Sequence, residues 1–215
     1  MKRQLATALL ACALHGALQA QTLPEPKPSF QGLLLLPVPL RNPVFGDLTE
    51  VLGQVEGAFQ VPLFKGLGVG VGAKFNWYGL EEHGLAQLIT NGEVRRMVLF
   101  GKLQYEHYTG PITYYELNAK AGQARWTWDC TTCADNAKQN AFHWGISASY
   151  FVHTSDNLAF GITLGYEADA ASFGPGVIGL ESFPGRKDRD APYRFLTVGL
   201  GFSTRFIKSN EDGMW

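Results

Sequence analysis

The chain has 215 residues, of which 17% are charged, 13% are aromatic and 25 are glycine, with a formal net charge of -1. That length holds one domain of ordinary size. Charged residues fall below the about 25% of a typical soluble domain and glycine exceeds the usual ~7%. A near-neutral balance excludes the basic field of a nucleic-acid binder, and the composition is too apolar for a disordered chain.

The first twenty residues carry the three parts of a secretory signal: the cations Lys2 and Arg3, an apolar run from Leu5 to Leu14 broken only by Thr7, and small residues ahead of a cut after Ala20. The run is too short to span a bilayer. Leu9-Leu10-Ala11-Cys12 is similar to a lipoprotein cleavage box, but it comes so early that Cys12 is read as part of the discarded signal. Residues 21–29 hold three prolines and read as an extended periplasmic leader.

From residue 30 the chain divides into eight segments with period-two alternation, the mark of strands with one apolar face. The first runs from Phe30 to about Pro39, with four consecutive leucines; Pro37 and Pro39 cannot donate to a ladder and belong at a rim. Residues 47–55 also fit a short helix through Leu48, Val51, Leu52 and Val55. Gly53–Leu63 then sets Val55, Phe59, Val61 and Leu63 against Gln54, Glu56 and Gln60. Leu67–Tyr78 sets Val69, Val71, Phe75 and Trp77 against Lys74, Asn76 and three glycines. Arg95–Tyr105 sets Met97, Leu99, Leu103 and Tyr105 against Arg96, Lys102 and Gln104. Ile112–Ala124 sets Tyr115, Leu117, Ala119 and Ala121 against Glu116, Asn118 and Lys120. In Phe142–Val152, Trp144, Ile146 and Tyr150 oppose His143, Gly145 and Ser147. In Leu158–Ala168, Phe160, Ile162, Leu164 and Tyr166 oppose Gly161, Thr163 and Glu167. The clearest segment is the last, Tyr193–Phe206, with Leu196, Val198, Leu200 and Phe202 against Thr197, Gly199, Ser203 and Arg205.

Segments of about 9–11 residues match a tilted membrane-spanning strand. The connections fall at 40–52, 64–66, 79–94, 106–111, 125–141, 153–157 and 169–192, so long and short alternate throughout. That is the loop pattern of an up-and-down barrel in an outer membrane, and a Greek-key sandwich has no reason to sort its loops this way. The expectation is an all-β, eight-stranded antiparallel transmembrane barrel over residues 30–206, followed by a tail, 207–215, with both termini periplasmic. Its apolar face meets lipid and its lumen is polar and filled. Glu56, Lys74, Arg96, Lys102, Glu116, Lys120, Glu167 and Arg205 form the expected lumen charge network, since an unpaired charge in a confined interior is costly. The competing architecture is a soluble lipocalin-like barrel with the apolar face turned inward.

With its signal peptide, its loop alternation and the closing strand ending Phe202-Ser-Thr-Arg-Phe206, the chain resembles the small eight-stranded outer-membrane barrels of Gram-negative bacteria, the OmpA-type transmembrane domain and its OmpX-like relatives. The resemblance implies residence in the outer membrane, contact with its lipid, and recognition of the aromatic-terminated strand by the barrel-assembly machinery. It carries no catalytic motif and no peptidoglycan-binding domain.

The remaining chemistry is sparse. Cys130 and Cys133 offer two thiols where a structural zinc needs four ligands, and export favours a local disulfide. The glycines of Gly68-Val-Gly-Val-Gly72 precede no helix, so a phosphate loop is not expected. His83 has no second histidine beside it, and no metal or cofactor is expected. His153, Ser155 and Glu167 match the His-x-Ser and Glu spacing of lipid A 3-O-deacylases, with Ser155 as nucleophile, His153 as base and Glu167 as orienter. A strand over 158–166 would carry Glu167 far from the pair, and His153–Asn157 reads as a turn. The function expected is therefore non-enzymatic: an envelope structural, adhesion or scaffold role, with a lipid A hydrolase or a narrow solute pore as alternatives. An envelope partner would meet the long connections, above all 169–192 with its charged run Arg186–Asp190.

Overall fold

A computed structural model describes residues 23–80, 92–131, 133, 137–183 and 191–206. The signal segment, the tail after Phe206, His83 and the run 186–190 lie outside the described residues. The strands are β1 (Ser29–Pro39), β2 (Thr49–Phe64), β3 (Leu67–Leu80), β4 (Gly92–Tyr108), β5 (Thr113–Cys130), β6 (Ala137–His153), β7 (Leu158–Phe173) and β8 (Ala191–Arg205). Each pairs antiparallel with its neighbour in sequence, and β1 closes on β8 with Leu33 opposite Gly201 and Leu34 opposite Leu200. The result is a closed up-and-down barrel, which leaves no strand edge unpaired.

The orientation of the faces follows the alternation. Val71, Ile162 and Leu200 are 66%, 63% and 66% exposed, whereas Lys74, Arg96 and Glu116 are 2%, 0% and 0% exposed. The apolar side chains point outward and the ionic ones inward, which excludes the lipocalin-like arrangement. Tight turns join strands at the end where β1 begins and β8 finishes. Between β2 and β3, Lys65 and Gly66 have φ of 44° and 84°, the left-handed pair of a two-residue type I′ hairpin. At the β6–β7 turn the N–H groups of Thr154 and Ser155 both donate to the carbonyl of Leu158, at 2.9 and 3.3 Å.

The strands run 11 to 18 residues, longer than the sequence segments, and the excess is mostly at the long-loop end. There the alternation changes sign. Lower on β5 the outward residues are Tyr115, Leu117, Ala119 and Ala121; higher up they are Gln123, Arg125 and Asp129, with Trp126 and Trp128 turned inward. A strand that leaves lipid for water exchanges which face is apolar. Read with the rule for the lower half, the upper half looks like a loop.

The helix of the first connection is also displaced from its expected place. Residues 49–55 are strand, and the helix is α1 (Pro43–Leu48). The Asn42 side chain accepts from the Phe45 N–H at 3.0 Å and donates to the Ala191 carbonyl at 3.1 Å, and Pro43 fits the first turn, where no N–H is needed. The spacing of Leu48, Val51 and Leu52 mimics a helix because β2 is irregular there, with a bulge between Val51 and Gly53 and a φ of 145° at Gly53.

Candidate functional site

The lumen collects almost all the chemistry of the described residues. At the short-turn end, Arg205 Nη2 donates to Glu106 Oε1 at 2.5 Å, and its guanidinium lies 5.0 Å from the ring centroids of both Tyr108 and Tyr114. Deeper in, Lys102 Nζ uses all three of its protons, donating to Gln31 Oε1 at 2.8 Å, Gln60 Oε1 at 2.5 Å and Glu116 Oε1 at 3.0 Å. The other carboxylate oxygen of Glu116 accepts from the amides of Gln31 and Gln60, each at 2.9 Å. Cation and anion are thus caged by two amides that bond to both.

Above this cage Glu56 pairs with Lys120 and lies 3.3 Å from Lys74, which also pairs with Glu167. Arg96 grips Asp169 with two parallel bonds, Nε to Oδ2 at 2.8 Å and Nη2 to Oδ1 at 2.6 Å, and reaches Glu167 with Nη1 at 3.1 Å. Trp126 Nε1 donates to Asp169 Oδ2 at 2.8 Å, and His143 Nδ1 lies 2.8 Å from Oδ1. A fork-on-fork pair of this kind fixes orientation as well as charge.

The long-loop end is sealed by rings. Phe45 of α1 is fully buried, edge-on to Tyr78, Trp126, Trp128, Phe173, Tyr193 and Phe195, at centroid distances of 5.3 to 6.3 Å. Edge-to-face contacts set the positive ring edge against negative ring faces. Val44, Leu48, Ile178 and Phe183 pack into the same cluster. The disulfide Cys130–Cys133 closes the top of β5, with the Cys133 N–H donating to the Cys130 carbonyl at 3.2 Å, and it packs beside that cluster.

The structure places Glu56, Lys74, Arg96, Lys102, Glu116, Lys120, Glu167 and Arg205 all inside the lumen, each with an oppositely charged partner. Those eight are five cations and three anions. Two further buried anions, Glu106 and Asp169, make the count among the described residues five and five. The segment boundaries drawn from sequence leave both in connections. Each is in phase with its strand, Glu106 with Lys102 and Gln104 and Asp169 with Glu167, so one more repeat of the alternation finds them. The balanced set leaves little space: a cavity beside Glu56, Lys74, Lys120 and Glu167 measures ≈ 10 Å³, about the room of one water.

His153, Ser155 and Glu167 are not brought together. His153 stacks on Tyr108 with Nε2 3.1 Å from its hydroxyl, and Ser155 donates to Asn157 Oδ1 at 3.1 Å within the β6–β7 turn. Glu167 is deep in the lumen between Lys74 and Arg96. Among the described residues, no three His, Cys, Asp or Glu side chains converge as metal ligands.

No protein-family model matches the chain, and no curated protein matches its sequence. Solved structures do share its fold. Neisserial surface protein A is 8% identical with a TM-score of 0.52, over 83% of this chain and 97% of that one. OprG from Pseudomonas aeruginosa is 12% identical with a TM-score of 0.51, over 85% and 96%. A major outer membrane protein from Thermus thermophilus is 12% identical with a TM-score of 0.52, over 83% and 99%. The fold is that of the small eight-stranded outer-membrane barrels.

Proposed function

We propose that the chain is a bacterial outer-membrane barrel that neither conducts solutes nor catalyses a reaction, and whose work lies at its long-loop end, in an envelope structural, adhesion or scaffold role. The observation that carries this reading is the closed lumen. Among the described residues, five buried cations, five buried anions and a ring cluster around Phe45 occupy the axis along which a solute would have to pass. The lumen offers a substrate no free cavity, and in the open hollow of ≈ 530 Å³ at the short-turn end that His153 and Ser155 line, the Ser155 hydroxyl bonds to Asn157 and the His153 ring to Tyr108, not to each other. In this reading residues 1–20 direct export, both termini face the periplasm, and the outward apolar band meets lipid. The barrel-assembly machinery reads the strand ending in Phe206, and an envelope partner engages the long connections.

The test is purification in detergent followed by three assays. The folded barrel should migrate differently heated and unheated on a denaturing gel. It should give no steady conductance in planar bilayers, and it should leave lipid A acylated whether residue 155 is Ser or Ala. Steady single-channel steps would overturn the sealed-lumen reading, and deacylation lost in Ser155→Ala would overturn the non-enzymatic one.

A further inference from the structure

The outer wall carries a feature that the sealed lumen does not explain. On the faces of β3 to β6, near the long-loop end, Trp77 is opposite Arg95, Arg95 is opposite Thr127, and Thr127 is opposite Lys138. One step lower, Phe75 is opposite Met97 and Met97 is opposite Arg125. These side chains point outward and bound a shallow depression of ≈ 320 Å³. Arg125 lies diagonally between Arg95 and Lys138, at the about 7–8 Å spacing of diagonal neighbours in a ladder. Phe75 and Trp77 stack at 6.1 Å along its flank.

The height of this patch is set by β5. Tyr115, near the lower end, and Arg125 are ten residues apart on one strand. At about 3.3 Å per residue and a tilt of about 40°, that is about 25 Å, the height of the apolar band of an outer-membrane barrel. Between these levels the outward positions of β3 to β6 carry no charged side chain. Arg125 therefore stands where the acyl region ends, at the leaflet on the long-loop side, and Lys138 reaches above it. Arg95 is partly engaged, its Nε and Nη2 donating to Glu93 at 2.9 and 2.7 Å. Arg125 and Lys138 have no carboxylate partner among the described residues.

We propose that this patch is a binding site for one amphiphile of the outer leaflet, a saccharolipid with phosphate on its head group, of the lipid A type. Guanidinium and ammonium groups take the phosphate, with Arg125 and Lys138 as the principal donors and Arg95 lending its free face. Phe75, Trp77 and Met97 meet the head-group boundary, and Leu99 and Phe142 below them meet the acyl chains. Charge and apolar surface thus follow each other in the order in which such a lipid presents phosphate and chain. The inference rests on the membrane placement proposed above and adds a ligand that the placement alone does not require.

The test uses the whole mature protein in detergent, with native mass spectrometry of retained lipid. The probes are bisphosphorylated lipid A, the same lipid A dephosphorylated, and phosphatidylglycerol. The expected result is a clear preference for the phosphorylated form, weakened about tenfold by Arg125→Gln or Lys138→Gln, as for loss of one charge-assisted bond. Arg194→Gln on β8, which removes one cation elsewhere on the wall, should leave the preference intact. Equal retention of phosphorylated and dephosphorylated lipid A, equal retention of phosphatidylglycerol, or an undiminished preference in the Arg125→Gln/Lys138→Gln variant would overturn the site. Since the first two comparisons use the unaltered chain, they stand even where a variant fails to fold. A preparation whose gel mobility does not change on heating would instead overturn the membrane placement.

Discussion

The cage around Lys102 and Glu116 makes a sharp quantitative demand. Their side chains are 1% and 0% exposed and 3.0 Å apart. Every proton of the ammonium and both oxygens of the carboxylate are engaged with each other or with the amides of Gln31 and Gln60. Glu116→Gln keeps the shape of the side chain and removes the charge, which strands a buried ammonium; the cost expected for breaking a buried pair is about 3–5 kcal/mol. Lys102→Met strands the carboxylate instead and should cost about as much. The double variant strands neither charge, and replacement of a buried pair by groups of similar volume is nearly neutral, within about 1 kcal/mol. The three variants and the unaltered barrel form a cycle whose coupling energy should therefore be large and favourable. The assay is equilibrium urea unfolding in lipid vesicles, followed by tryptophan emission and by gel mobility without heating. If each single change costs under about 1 kcal/mol, or the double change costs the sum of the two, the lumen is wetter and looser than the cage requires, and the argument from burial fails.

The ring cluster predicts a local effect. Phe45→Ala should cost about 3–5 kcal/mol, as for a fully buried phenylalanine, and since α1 is held by packing the loss should appear as opening of the cap: red-shifted, more quenchable emission from Trp126 and Trp128 with the gel mobility of the closed barrel retained. Unchanged emission and quenching would show that α1 is not the seal. On the outer wall, Leu200→Lys should destabilise by about 2–4 kcal/mol in vesicles, the cost of a cation at the bilayer midplane, and a cost near zero would contradict the lipid-facing assignment. Thiol titration of the denatured mature protein should find no free sulfhydryl before reductant and the two of Cys130 and Cys133 after it; free thiols in protein taken from the exported fraction would contradict the bridge.

How much of this could be read from the residues alone depended on which solvent each face met. Through the membrane band, every second residue of β8 is apolar from Leu196 to Phe202, and the pattern settles both the strand and its outward face. The period of two persists above the band, but its meaning reverses. On β5 the outward side passes from Ala121 to Arg125 and the inward side from Lys120 to Trp126, so polar now means water and apolar now means interior. Taking polar residues as inward throughout places Trp126 and Trp128 in a connection, although Trp126 holds Asp169, which in turn holds Arg96. The cap was less legible still. The part of Phe45 depends on six rings from β3, β5, β7 and β8 meeting over the axis, and convergence across a closed barrel leaves no trace in local spacing. The reversal itself is readable, however. Where the sign of the alternation flips, an outward cation cannot be a lumen residue, and Arg125 is the first such residue on β5. The same residue therefore marks the upper limit of the lipid band and supplies the first donor of the proposed phosphate site.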